Sequence, residues 1–309
     1  MKKYLAKTFI FILILCLIMG NTVFIHAANP IDPQRPSSLT IQYKYSQKTY
    51  SDLSVKIYRI AEVYENGTYS LTGVFKSYPV NIYGIESQAE WKKIAITLAA
   101  YIAADDISAT CESVTDDTGR VIFENLLPGM YLTLSVRSQQ DGEVVIFEDF
   151  LTVLPYPSEE GEHQYDVSVY PKCESYTPAP QKKEYKVVKQ WKDGGYTDIR
   201  PDEVDVDIYK NGVLQFSQKL SAANDWAYRW EAVDDGSRWQ AVERNVPIDY
   251  TVTVAENGET IIITNVYNHG IIDPPPTGET GVIWPYILSL SVSGILIIAF
   301  SIWRKRKEA

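Results

Sequence analysis

Cysteine is scarce in this chain. Three occur in 309 residues, and Cys16 lies inside an apolar N-terminal run. Cys111 and Cys173 are too few to make a disulfide framework for a chain of this length. Histidine is equally sparse: His163 and His269 are the two beyond the N-terminal run. Neither stands in a nucleophile triad or a metal-ligand spacing, so no enzyme, no cofactor and no metal is expected. No glycine-rich phosphate loop is present. Basic charge is short too, with 29 Lys and Arg against 39 Asp and Glu. Several of the basic residues (Lys2, Lys3, Lys7 and 304–307) sit at the two ends. The body is therefore strongly acidic, which repels phosphate backbones and excludes nucleic acid as a partner.

Long hydrophobic runs are confined to the ends. Residues 1–27 open on lysines, run apolar from Phe9 to Met19 and end at Ile25-His26-Ala27. That order describes a secretory signal peptide. Residues 282–303 carry no charge and are long enough to span a bilayer. Arg304-Lys305-Arg306-Lys307 follows, the positive side that stays in the cytoplasm. Roughly 250 residues are left to fold outside the membrane, one large or two ordinary domains.

Strand patterns dominate that body. Leu39, Ile41, Tyr43 and Tyr45 alternate on one face of a first strand. A hairpin is expected over 58–69, turned by Asn66-Gly67, and another at Asn211-Gly212. Further strands are expected at 120–123, 131–136, 144–154 and 165–170. One helix stands out at 87–104. Ser87 and Glu90 form a capping box, and Trp91, Ile94, Ala95, Leu98 and Ile102 make a stripe for core packing. Residues 174–183, rich in Pro and polar groups, read as a linker. It divides an N-domain (37–173) from a C-domain (184–268). The fold class is mainly β: two tandem β-sandwiches, the first with an inserted helix.

Three polar residues in the C-domain sit on apolar faces. Lys189 alternates with Tyr185, Val187 and Trp191. Asn265 shares a face with Ile261, Ile263 and Tyr267, and Glu243 with Trp239 and Ala241. Placing three such groups in one apolar layer is costly unless they satisfy one another. Facing alone fits two arrangements: a buried Lys–Glu ion pair with Asn as hydrogen-bond partner, or a reactive set.

The C-domain also resembles the B-type repeat of Gram-positive collagen adhesins and pilins. The matching segments are Val188-Lys189-Gln190-Trp191, Asp198-Ile199-Arg200-Pro201 and Val206-Asp207-Ile208-Tyr209-Lys210-Asn211-Gly212. Asn224-Asp225-Trp226, Val242-Glu243-Arg244-Asn245-Val246-Pro247 and Ile263-Thr264-Asn265-Val266-Tyr267 complete them. The resemblance implies a spontaneous isopeptide bond between Lys189 and Asn265, with Glu243 as the single-turnover catalytic group. In the N-domain, Lys44 lies in phase with Thr40 and Gln42 on the polar face, and Ser135 stands where a strand glutamate is expected. No such bond is implied there. The pair Asp116-Asp117 reads as a hairpin turn.

Two further segments resemble pilin features. Val167-Ser168-Val169-Tyr170-Pro171-Lys172 is similar to the pilin motif, which implies that Lys172 receives the next subunit. His163 stands where that motif carries tryptophan, and Cys173 where asparagine is common. Pro274-Pro275-Pro276-Thr277-Gly278 before the apolar span resembles a sortase sorting signal, with Pro274 in place of leucine. It implies cleavage between Thr277 and Gly278 and a sorting segment over 269–309. The implied protein is a wall-anchored pilin subunit of a Gram-positive surface, with sortase, other pilin subunits and peptidoglycan as partners. The alternative is a wall-anchored adhesin or accessory pilin that binds a host surface or matrix ligand and forms no shaft.

Overall fold

A computed structural model describes residues 30–268, apart from 141, 159–161 and 180. The expected signal peptide, 1–27, and the expected sorting segment, 269–309, lie outside the described residues. The chain is mainly β, as expected, and carries one α-helix among the described residues.

The N-terminal part is built from β1 (Ser37–Gln42), β2 (Ser54–Val63), β3 (Tyr69–Leu71), α1 (Gln88–Ala104) and β4 (Cys111–Val114). It continues with β5 (Arg120–Leu126), β6 (Gly129–Thr133), β7 (Val136–Gln140), β8 (Glu143–Phe147), β9 (Phe150–Leu154), β10 (Asp166–Val169) and β11 (Cys173–Tyr176). These pair in the orders β10-β1-β5, β11-β8-β7 and β9-β6-β2-β3, with β4 added to β2. Leu39, Ile41 and Tyr43 point into a core with Val55, Ile57, Phe123, Tyr131 and Phe147, the alternation expected of a half-buried strand. The Asn66-Gly67 turn is present, with Gly67 at φ 79° and Asn66 Oδ1 accepting the Thr68 N–H at 3.0 Å. Asp116 also turns its hairpin, its Oδ1 accepting from the Thr118 and Arg120 amides.

The C-terminal part contains β12 (Lys182–Lys192), β13 (Glu203–Lys210), β14 (Val213–Ser221), β15 (Ala227–Val233), β16 (Trp239–Glu243), β17 (Tyr250–Asn257) and β18 (Thr260–Tyr267). A four-stranded sheet ordered β15-β12-β18-β17 faces a three-stranded sheet ordered β14-β13-β16. The first and last strands are thus neighbours and run parallel, Lys189 opposite Ile263 and Trp191 opposite Asn265. The hairpin at Asn211-Gly212 puts both residues at positive φ, 50° and 78°, as a two-residue turn with right-handed strands requires.

Four expectations change. The 144–154 run is two strands in different sheets, broken at Glu148-Asp149. The 131–136 run breaks opposite it, between β6 and β7. Asp149 turns inward at this break: its Oδ1 accepts the Ser135 N–H at 2.8 Å and its carboxylate pairs with Arg238 of the C-terminal part. A buried carboxylate with such partners outweighs continuation of the strand. The stretch 174–183 is also partly strand. Residues 173–176 pair with β8 at a sheet edge, and β12 already begins at Lys182. An edge tolerates the polar composition that a central strand does not.

The helix differs most. Ser87 caps it, accepting the Glu90 N–H at 3.2 Å. Instead of a stripe, every residue from Ile94 to Ile102 is buried. One side of α1 faces Ile60, Met130 and Leu132 of the N-terminal part, and the other faces strands of the C-terminal part within one apolar cluster. A helix buried all round belongs between layers. The same layering explains β6, buried at all five positions because both of its faces are covered.

Candidate functional site

Lys189, Glu243 and Asn265 meet inside the C-terminal sandwich. Lys189 and Asn265 come from the neighbouring strands β12 and β18, and Glu243 from β16 in the facing sheet. Strand periodicity sends all three inward, together with Val187, Ile263 and Ala241, each of them buried. The Lys189 and Glu243 side chains are fully shielded from solvent. Lys189 Nζ lies 3.6 Å from Glu243 Oε2. It also donates to the Gln190 carbonyl at 3.1 Å and sits 3.6 Å from the Trp191 ring centroid. Asn265 Nδ2 donates to Glu243 Oε1 at 2.8 Å.

Electrostatics pull both ionisable groups toward neutrality. Burial lowers the Lys189 pKa to about 8, against the opposing attraction of Glu243, and Arg200 lowers it further. Burial raises the Glu243 carboxyl above its ordinary range, opposed by Lys189 and the Asn265 hydrogen bond. Arg200 is itself held by Asp193, through Nε–Oδ2 at 2.5 Å and Nη2–Oδ1 at 2.8 Å. Within the Lys189–Glu243–Asn265 group, Glu243 Oε2 and Asn265 Oδ1 have no hydrogen-bond partner among the described residues. The ends of an Asn amide occupy the same volume. Turned end for end, Asn265 would offer Oδ1 to a proton on Glu243 Oε1, which polarises the amide carbonyl.

This arrangement brings an amine whose pKa is lowered by burial beside a primary amide and a carboxyl whose hold on a proton is strengthened by burial. It suits amide exchange and does not resemble a metal site; no cluster of metal-ligating side chains occurs among the described residues.

The other expected sites are separate. Lys172 is exposed between β10 and β11, its carbonyl accepting the Glu148 N–H at 2.9 Å. Asp166 and Ser168 are exposed with it, in the alternation read from the sequence. Lys44 is exposed as well. Cys111 and Cys173 are free thiols. Thr277 and Gly278 lie outside the described residues. One neighbour of the buried group was not read from the sequence. Tyr101 of α1 donates from its hydroxyl to the Glu243 carbonyl at 3.2 Å, across 142 positions.

Fold and site together define a two-sheet sandwich whose first and last strands are bridged by a buried lysine, asparagine and glutamate. In sequence, residues 185–266 match the Cna protein B-type domain family. No curated protein matches the chain. Among solved structures, a single B repeat unit of the collagen-binding surface protein Cna of Staphylococcus aureus aligns at 15% identity and a TM-score of 0.27. The alignment covers 76% of this chain and 98% of that one. The major pilin SpaD of Corynebacterium diphtheriae aligns at 16% identity and a TM-score of 0.28, over 76% of this chain and 65% of that one. The pilus backbone RrgB of Streptococcus pneumoniae aligns at 12% identity and a TM-score of 0.26, over 78% of each.

Proposed function

We propose that the chain is a structural surface protein whose C-terminal sandwich, residues 184–268, locks itself with an amide bond between Lys189 and Asn265. The buried contact of Lys189 and Asn265 with one carboxyl, at 3.6 and 2.8 Å, carries this reading. The neutral Lys189 Nζ attacks Asn265 Cγ, polarised by the protonated Glu243. The Nζ–Cγ bond forms and the Cγ–Nδ2 bond breaks. Glu243 takes a proton from the attacking amine and delivers one to Nδ2, which leaves as ammonia. The reaction happens once per chain, so this is not a turnover enzyme.

The bond fits a pilin subunit that bears load, with 37–173 as its N-terminal module. In this reading, exposed Lys172 receives the Thr277 carboxyl of the next subunit from sortase, which cleaves before Gly278. The final link joins the polymer to peptidoglycan. A protein that is anchored alone and holds a host matrix ligand is the competing outcome.

Peptide mapping of the full chain tests the first claim. A linked pair containing Lys189 and Asn265, about 17 Da lighter than its two peptides, is expected, since one ammonia is lost. Glu243→Ala should leave the peptides separate. Finding them separate in the unaltered chain removes the bond. For the second claim, wall digests should contain Lys172 joined to Thr277; wall fragments on Thr277 alone favour the anchored adhesin.

A further inference from the structure

Glu243 has a cover that its own sandwich does not supply. Strands β16 and β17 end their respective sheets, and α1 of the N-terminal part lies against both. Thr97 and Tyr101, one turn apart on that helix, face the same way. Thr97 Oγ1 accepts the Val254 N–H of β17 at 2.7 Å, while the Tyr101 hydroxyl donates to the Glu243 carbonyl of β16 at 3.2 Å. The helix therefore bridges the two strand edges beside the buried carboxyl. Tyr101 is 6% exposed and stacks on Tyr78, ring centroids 4.4 Å apart. Below it, Arg244 fastens the end of α1 through Asp105 at 2.7 Å while holding Asp207 at 2.6 Å.

The geometry points to Tyr101 as a positioning residue for the Lys189–Asn265 bond, so that the C-terminal sandwich cross-links only after the N-terminal helix has docked on it. This rests on the bond-forming reading above. The reason is dielectric. With α1 absent, the β16 edge beside Glu243 is open to water, and water favours the charged forms of both Glu243 and Lys189. A charged amine is no nucleophile, and an ionised carboxylate cannot polarise the Asn265 carbonyl. Docking removes that water and fixes the Glu243 main chain. The groups facing the pair are few. Arg200 and Asp193 act on Lys189, and Tyr101, in turn, feels Glu243, Arg244, Asp105 and Tyr78. The order of events has a use: a chain whose two modules have not assembled is not locked prematurely.

The test uses the full chain made by cell-free synthesis, quenched with denaturant at intervals and scored for the linked peptide pair across a range of pH. Each pKa unit returned toward its ordinary value lowers the reactive neutral form about tenfold. Tyr101→Ala should therefore link at least about tenfold more slowly, with Tyr101→Phe restoring most of the rate because the ring still excludes water. The neutral pair and the ion pair bind the same number of protons, so the rate is flat between an acid and an alkaline limb. Admitting water stabilises the ion pair, so in Tyr101→Ala the acid limb moves to lower pH and the alkaline limb to higher pH. A mere loss of folding would shrink the rate without spreading the limbs. If Tyr101→Ala fails to fold, Tyr78→Ala carries the same test, since it strips the half-buried stacking partner and its hydrogen bond to Asp105 but leaves Tyr101 in place. A folded Tyr101→Ala or Tyr78→Ala chain with unaltered rate and limbs overturns the proposal and leaves the bond standing. An unaltered chain that never links overturns both.

Discussion

At the scale of single residues, the ionisation of Lys189 can be isolated by a variant that cannot link. Glu243→Gln keeps the volume but removes the carboxylate that raises the lysine pKa. Lys189 then titrates in the folded chain below about 8, against an unfolded value near 10.5. The unfolded chain binds more protons in that window, so unfolding free energy must rise with pH through it. The penalty of the buried charge is fully present below the folded value and relieved as pH climbs toward the unfolded one. Denaturation midpoints of Glu243→Gln should increase from about pH 7 to about pH 9.5, relative to a Lys189→Met, Glu243→Gln double variant. A flat difference would mean that Lys189 is not desolvated. The inward facing of Lys189, Glu243 and Asn265 was legible in the sequence because strand alternation is rigid. Their meeting was legible only through family resemblance, since alternation says which face a residue takes and not which strand lies opposite. Tyr101 carried no such signal: it looks like one more apolar position on a helix, and only the docking of distant segments puts its hydroxyl beside Glu243.

Among the elements, α1 and the segments around Asp149 teach the complementary lesson. The helix start was readable from Ser87 and Glu90, whose chemistry is local. The nine-residue buried run from Ile94 to Ile102 was also present as an almost unbroken apolar stretch, a sign of burial on all sides that a search for one stripe overlooks. The break at Asp149 is visible only in three dimensions, because its partner is Arg238 at 89 positions' separation. That pair is nearly closed to solvent, with side-chain exposures of 13% and 3%. Arg238 also donates to Ser135 Oγ at 3.3 Å, and nearby Arg137 donates to the Gly236 carbonyl at 2.6 Å. Removing Arg238 leaves a buried carboxylate with its amide contact alone, so Arg238→Ala should cost about 3–5 kcal/mol. Replacing both partners by apolar side chains, Arg238→Met with Asp149→Leu, should recover most of it. Denaturant titration in a Glu243→Gln background measures both without the cross-link. Equal losses in single and double variants would show that the ion pair does not govern this junction.

For the whole molecule, the strand order gives the proposed cross-link its mechanical meaning. The proposed bond would join neighbouring, parallel first and last strands of the C-terminal sandwich, so tension entering at one end of this unit would leave at the other through one covalent step. Closing the 76 positions between 189 and 265 (265 minus 189) would remove about 4–5 kcal/mol of unfolded-chain entropy if a disulfide loop is taken as the guide. Under load, geometry matters more than that entropy. A chain held at both flanks and pulled must extend every residue between the grips, unless a bond short-circuits some of them. Extended polypeptide spans about 3.5 Å per residue, so 76 bridged positions hide roughly 270 Å. Single-molecule pulling on the unaltered chain should therefore give a final length about 270 Å shorter than that of Glu243→Ala, whatever force each needs. Reductant should not change the difference, because an amide bond, unlike a disulfide, is not opened by thiol exchange. Equal lengths would mean that no bond bridges β12 and β18. A shortening of another size would place the bond between other residues.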